Sequence, residues 1–133
     1  QRPGMAGAPA SLGGIKQMMK ALKQGQAVGV LPDQVPPAGM GVWADFFGQS
    51  AYTMTLAAKL AAQTGATVLL AVGERLPHGR GYRVWVEPAP SALPPEPQAA
   101  AAQINQWMET LIRRYPQQYL WGYARYKAPK EAL

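Results

Sequence analysis

Ile15, Met18, Met19 and Leu22 fall at the i, i+3, i+4, i+7 spacing of an amphipathic helix, with Lys16, Lys20 and Lys23 on its other side. Gly25 suits the position just past that helix, and the methionine pair reads as core filling rather than as a ligand site. Residues 27–31, Ala-Val-Gly-Val-Leu, are a short apolar run of the kind that forms a buried strand. Pro32 and the cluster Pro36-Pro37-Ala38-Gly39 close it with a loop. Inside that excursion Val42-Trp43-Ala44 and Phe46-Phe47 make another apolar segment. Adjacent phenylalanines cannot both face one side of a strand, so one is expected to line a pocket or pack on another element.

Residues 53–63 carry Leu56, Ala57, Leu60 and Ala61 on one stripe and predict a second helix, with Thr53 or Ser50 as its cap and Gly65 at its end. Residues 67–72 read as a second buried strand, parallel to the first through a right-handed crossover. A turn at 77–81 and the alternating run 82–87 predict a hairpin antiparallel to that strand. The Pro-rich stretch 88–97 is a surface connection. A last helix over 97–115 has Ile104, Trp107, Met108, Leu111 and Ile112 as its apolar stripe. The tail 116–133 contains Tyr119-Leu120-Trp121-Gly122-Tyr123, too aromatic for disorder, and is expected to pack back on the domain. Residues 1–13, rich in Gly, Pro and Ala, read as a flexible lead-in. The expected architecture is α/β, with a mixed sheet of one parallel βαβ unit plus an antiparallel hairpin, flanked by helices.

A chain of 133 residues fits one domain. With no cysteine it has no disulfide, thiolate metal site or cysteine nucleophile, and one histidine excludes a histidine-rich metal site. No apolar run approaches the ~20 residues of a membrane span, and no signal peptide is visible. The first residue is Gln1, which suggests a processed product or part of something longer. The formal charge of +6 is clustered on Lys16, Lys20 and Lys23 and on Arg113, Arg114, Arg125, Lys127 and Lys130. Such clusters favour anionic partners, although a solvated helix face and a solubilising tail explain them equally well.

His78, the only histidine, sits in a Pro/Gly turn and reads as an exposed turn residue. Asp33 follows the first predicted strand and precedes the Pro-rich loop, the position where open α/β sheets bind ligands; it could equally be a turn-forming Asp. Glu74 and Arg75 end the second predicted strand. If the two strands are parallel, Arg75 could pair with Asp33 or hold a substrate phosphate, or form a plain salt bridge. The chain has no glycine-rich phosphate loop and no nucleophile elbow. Trp121 and Tyr123 beside Arg125-Tyr126-Lys127 could stack bases, but nothing else reads as a nucleic-acid module.

In order along the chain stand Ala21-Leu22-Lys23-Gln24-Gly25, Leu31-Pro32-Asp33-Gln34, Phe46-Phe47-Gly48, Thr64-Gly65-Ala66, Gly81-Tyr82-Arg83 and Gln117-Gln118-Tyr119-Leu120-Trp121. Each is weak alone; their order and spacing resemble the C-terminal half of the lipid A biosynthesis acyltransferases, a branch of the lysophospholipid acyltransferase superfamily. The resemblance covers about residues 14–129, so residues 14–133 would be part of an acyltransferase domain. It implies transfer of a fatty acyl chain from acyl carrier protein to a hydroxyl of an anionic lipid A precursor, at the cytoplasmic face of the bacterial inner membrane, without a cofactor. It places Asp33, Gln34, Phe46, Phe47, Gly48, Thr53 and Arg75 on the substrate side.

Two departures qualify it. After the Trp many members carry a His-Arg-Arg-Phe-Lys-like run, where this chain has Gly122-Tyr123-Ala124-Arg125-Tyr126-Lys127. The family's catalytic motif, His then four residues then Asp or Glu, lies upstream of every matching segment. The fifth residue after His78 is Arg83, so the motif is absent here and the chain alone is expected to be inactive. The alternative is a non-catalytic α/β module that binds an anionic lipid or an acidic protein through its basic faces. A partial domain also leaves a sheet edge uncovered, which predicts self-association.

Overall fold

The computed structural model describes residues 4–9 and 11–130. Helices form where the 3.6-residue stripe predicts them. Helix α1 spans Leu12–Lys23, with Ser11 capping the Gly14 amide, and lies against α2, Leu56–Thr64. The longest helix, α3, spans Pro97–Arg114. Glu96 caps it by accepting from the Gln98 and Ala99 amides at 3.0 and 2.6 Å, and these two donors hold its carboxyl below the usual range.

Among the described residues four strands pair as two separate antiparallel hairpins: β1 (Gly41–Phe46) with β2 (Gln49–Met54), and β3 (Leu69–Arg75) with β4 (Tyr82–Pro88). The mixed α/β character and the hairpin over 69–88 follow the sequence pattern. Two details differ from it. Residues 27–31 are not in a ladder, and the parallel pair they were expected to make does not form among the described residues. A strand needs a partner to satisfy its amides, and here each hairpin pairs only with itself. Residues 49–54 are a strand rather than a helix start, so Thr53 lies inside β2, and α2 begins after Thr55 without a side-chain cap.

Helix α3 joins the two hairpins. Ile104, Trp107 and Leu111 bury against Leu70 of β3, with Ala57 and Ala58 of α2 at the margin. Ile112 packs on Phe46 and Ala51 in a second cluster, which Tyr119 of the tail closes. The tail packs back as expected, and its Arg125 is 3% exposed. No helix among the described residues is long and apolar enough to cross a membrane.

Candidate functional site

The site builds outward from the turn between β1 and β2. Phe46 pairs with Gln49 across a two-residue loop, Phe47-Gly48, whose φ values are 50° and 74°. Positive φ at both positions is the type I′ pattern that matches the twist of a hairpin. For a phenylalanine it costs about 1–2 kcal/mol, so the surroundings must hold Phe47 in place. Its N–H donates to Glu109 Oε1 at 2.7 Å, and the Arg113 guanidinium lies 5.1 Å from its ring centre. Trp121 packs 6.0 Å away, and Phe46 meets Phe47 edge to face at 4.8 Å. The adjacent phenylalanines divide as expected, Phe46 into the core and Phe47 to the half-buried turn.

Behind the turn lies a buried polar network. Arg125 Nη1 donates to the Tyr52 carbonyl at 2.8 Å, and its Nη2 to Thr53 Oγ1 at 2.8 Å and Asn105 Oδ1 at 3.3 Å. Asn105 Nδ2 donates to Thr53 Oγ1 at 3.0 Å and to the Asp45 carbonyl at 2.9 Å. Thr53 Oγ1 donates to the Ala51 carbonyl at 3.0 Å, so this hydroxyl uses its donor and both acceptor positions. Thr53 is 0% exposed and Phe46 2%: both support the site from within. The Arg125 guanidinium also lies 5.1 Å from the Phe46 ring centre.

The Asp33 carboxylate faces this network from the loop. Two polar atoms beside it, Tyr119 Oη and Arg125 Nε, are buried with no hydrogen bond of standard geometry among the described residues. Burial, then the negative charge of Asp33, pushes the Tyr119 hydroxyl up to about 12. Burial lowers the Arg125 pKa while Tyr119 and Asp33 act against that shift; the guanidinium stays charged.

Of the residues singled out by sequence, Asp33, Phe46, Phe47, Gly48 and Thr53 gather around this network. Gln34 is exposed beside Asp33, in the turn that follows Pro32. Arg75 does not pair with Asp33, because β3 belongs to the other hairpin and no parallel strand brings the two together. Its backbone is held instead by Gln118, which accepts from the Arg75 N–H at 2.7 Å and donates to its carbonyl at 3.1 Å. Glu74 accepts from Trp85 Nε1 and pairs with Arg83, while His78 is an exposed turn residue with φ 58°. No group of three His, Asp or Glu side chains converges on a metal position among the described residues.

Sequence reasoning missed Asn105 and misplaced Arg125. Asn105 stands three and seven residues before Met108 and Ile112, so it shares their inward stripe, and a polar residue there was a signal. Arg125 falls in the basic C-terminal cluster, which the sequence leaves open between an anionic-partner surface and a solvated tail; neither reading buries it, and only the aromatic density around it points to burial.

A sequence model for the bacterial lipid A biosynthesis acyltransferases matches residues 5–128. The chain is 34% identical over 122 residues to a lipid A biosynthesis lauroyltransferase of Escherichia coli K12, covering 90% of this chain and 40% of that protein. It is 32% identical over 114 residues to a lipid A biosynthesis palmitoleoyltransferase of the same strain, covering 85% of this chain and 37% of that protein. A lipid A biosynthesis acyltransferase of Haemophilus influenzae is 28% identical over 108 residues, covering 81% of this chain and 34% of that protein. This chain belongs to the bacterial lipid A biosynthesis acyltransferase family. It spans about two-fifths of the length of the first two relatives.

Proposed function

We propose that this chain is the acceptor-binding part of an acyltransferase that moves a fatty acyl group from acyl carrier protein to a hydroxyl of a lipid A precursor, at the cytoplasmic face of the inner membrane. The observation that carries this reading is the placement of the Asp33-Gln34 turn and the Phe47-Gly48 turn around one buried network, inside a family match that covers both. Asp33 would accept hydrogen bonds from sugar hydroxyls and Gln34 would offer its exposed amide. A carboxylate repels phosphate, so the anionic groups of the acceptor fall to cations. Arg113 at the Phe47 turn is 66% exposed at its side chain, and Arg75 is exposed at the end of β3. The same cations suit a membrane surface and an acidic carrier protein. The His-x4-Asp/Glu pair to which the family resemblance assigns the general-base step is not among these 133 residues, so the chain alone holds the acceptor without reacting it.

Isolated copies would also associate. Tyr82, Val84 and Val86 of β4 are 73%, 68% and 59% exposed and form an open apolar face.

The test is titration of the 133-residue chain with a lipid A precursor in neutral detergent micelles, alongside an acyl-transfer assay with acyl carrier protein as donor. Saturable binding that weakens about tenfold in Asp33→Ala, with no turnover, is the expected result; tenfold corresponds to about 1.4 kcal/mol, the scale of one hydrogen bond to a charged group. Equal binding by the Asp33→Ala chain would remove the acceptor role, and clear turnover would remove the claim that the chain alone cannot react the acceptor.

A further inference from the structure

The loop over residues 33–39 cannot hold its own shape. Pro36 and Pro37 supply no amide donor, and no strand pairs with this stretch. Its one local bond runs from the Met40 N–H, just past the loop, to the Pro37 carbonyl at 3.1 Å. Among the described residues the long-range anchors are three. The Val35 N–H donates to the Tyr123 hydroxyl at 2.8 Å, and the Ala38 N–H to the Lys130 carbonyl at 2.9 Å. The Gly39 N–H donates to the Tyr52 hydroxyl at 3.0 Å. Two of the three come from the C-terminal segment, roughly ninety residues away in sequence.

That segment is itself fixed to the core. Arg125 is buried in it with three hydrogen bonds, and the Tyr126 hydroxyl donates to the Phe46 carbonyl at 2.7 Å. Tyr52 joins the two systems: its carbonyl takes Arg125, and its hydroxyl takes the Gly39 and Gly41 amides. A Cβ at Gly41 would lie 2.6 Å from the Thr53 carbonyl and 2.7 Å from Pro36 Cγ, so the loop end is pressed directly onto the hairpin. Tail, hairpin and loop therefore share one register.

We propose that residues 119–130 are a clamp that sets the conformation of the 33–39 loop, with Tyr123 and Arg125 as positioning residues for the acceptor contacts of Asp33 and Gln34. Arg125 anchors the clamp in the core and Tyr123 grips the loop. The effect on the acceptor rests on the binding role given to Asp33 and Gln34 above; the clamp itself does not.

The decisive variant is Tyr123→Phe. It removes one hydroxyl and keeps the ring, over which Lys127 Nζ lies at 4.9 Å. Hydrogen exchange on the full chain should show the Val35 amide exchanging about tenfold faster, the scale of one lost hydrogen bond, with a smaller change at amides of α3 and β1–β2. Binding of a lipid A precursor in neutral detergent micelles should weaken about three- to tenfold, on the same scale. Arg125→Lys keeps the charge but loses the guanidinium fork, so faster exchange should reach both Val35 and Ala38. Unchanged exchange at Val35 in Tyr123→Phe would overturn the clamp. Faster exchange with unchanged glycolipid affinity would overturn positioning and leave a purely structural tie. If the unmodified chain binds no glycolipid, the acceptor reading and the positioning roles fall together, and the exchange arm still decides whether the clamp exists.

Discussion

The two hairpins have the same topology and opposite surroundings. α3 and the tail cover the β1–β2 face that carries Ala44, Phe46, Ala51 and Thr53, and the loop over 33–39 covers Tyr52 on the other. Ala51, Tyr52 and Thr53 are therefore buried in succession, while Trp43, Asp45 and Ser50 stay exposed. β3–β4 rests one face on α3 through Leu70 and leaves Tyr82, Val84 and Val86 open. In the enclosed hairpin, water cannot satisfy polar groups, so Thr53, Asn105, Arg125 and the strand carbonyls must satisfy one another. This makes the first hairpin a precise mount for the Asp33 loop and the Phe47 turn. The second serves as scaffold, its polar contacts being surface pairs such as Arg114 with Glu87 at 2.9 Å, 44% and 38% exposed at their side chains.

The sharpest break of this contrast is Phe46→Ala. Phe46 is 2% exposed, touches Ala51 and Ile112, and supports the Arg125 guanidinium. Its truncation should cost about 3–5 kcal/mol by urea unfolding, as for other large-to-small core changes. Asn105→Ala comes next. It leaves the Asp45 carbonyl and one Arg125 donor without their partner, an expected loss of about 1–3 kcal/mol for a buried group left unsatisfied. A loss below about 0.5 kcal/mol, the level of an ordinary surface change, would mean that water replaces the amide and the enclosure is leaky.

The same contrast explains what was legible in the sequence. The 82–87 run alternates cleanly beside a Pro/Gly turn, and the strand it predicts is there. The three helices were legible too, since each buries one stripe. β2 was hidden because burial on both of its sides erases alternation, Ala51, Tyr52 and Thr53 being consecutive buried positions, whereas its partner β1 does alternate, with Ala44 and Phe46 buried and Trp43 and Asp45 exposed. Its turn carries Phe where Asn or Gly is usual, so the I′ signal was lost. Residues 27–31 misled in the opposite sense, because apolar composition marks a strand only when a partner stands beside it. Asp33 stood out by its place after the expected strand 27–31, which does not form, and the phenylalanine pair by its adjacency; the family resemblance then joined Asp33 and the Phe-Phe-Gly in one site. The partners that hold them, Asn105 and Arg125, come from α3 and the tail and meet only in three dimensions.

A smaller effect should separate the two regions at high pH. Tyr119 has its pKa raised from 10.0 to about 12 by burial and then by Asp33, so the folded state holds this proton more tightly than the unfolded one. The stability linked to it is fully present below about 10, the unfolded value, and is lost as pH rises through about 12. In Tyr119→Phe the thermal midpoint should fall less steeply between those values than in the unmodified chain. Near neutrality the variant should be no less stable, because the hydroxyl it removes is buried without a standard hydrogen bond. Identical slopes would place Tyr119 in solvent and detach it from Asp33.

The smallest expected change in stability lies on the open face. Val84 is 68% exposed, opposite Gly73 in the ladder, and buries little in the monomer. Val84→Lys should therefore alter unfolding by no more than about 0.5 kcal/mol, as surface substitutions usually do. The association state should respond instead. If copies meet through Tyr82, Val84 and Val86, a lysine amid that face adds a charge that must be desolvated at the contact, and sedimentation should show the assembly shifting to monomer. An unmodified chain that sediments as a monomer at all concentrations would sink the association. A Val84→Lys chain losing several kcal/mol would show that the second hairpin is as enclosed in solution as the first.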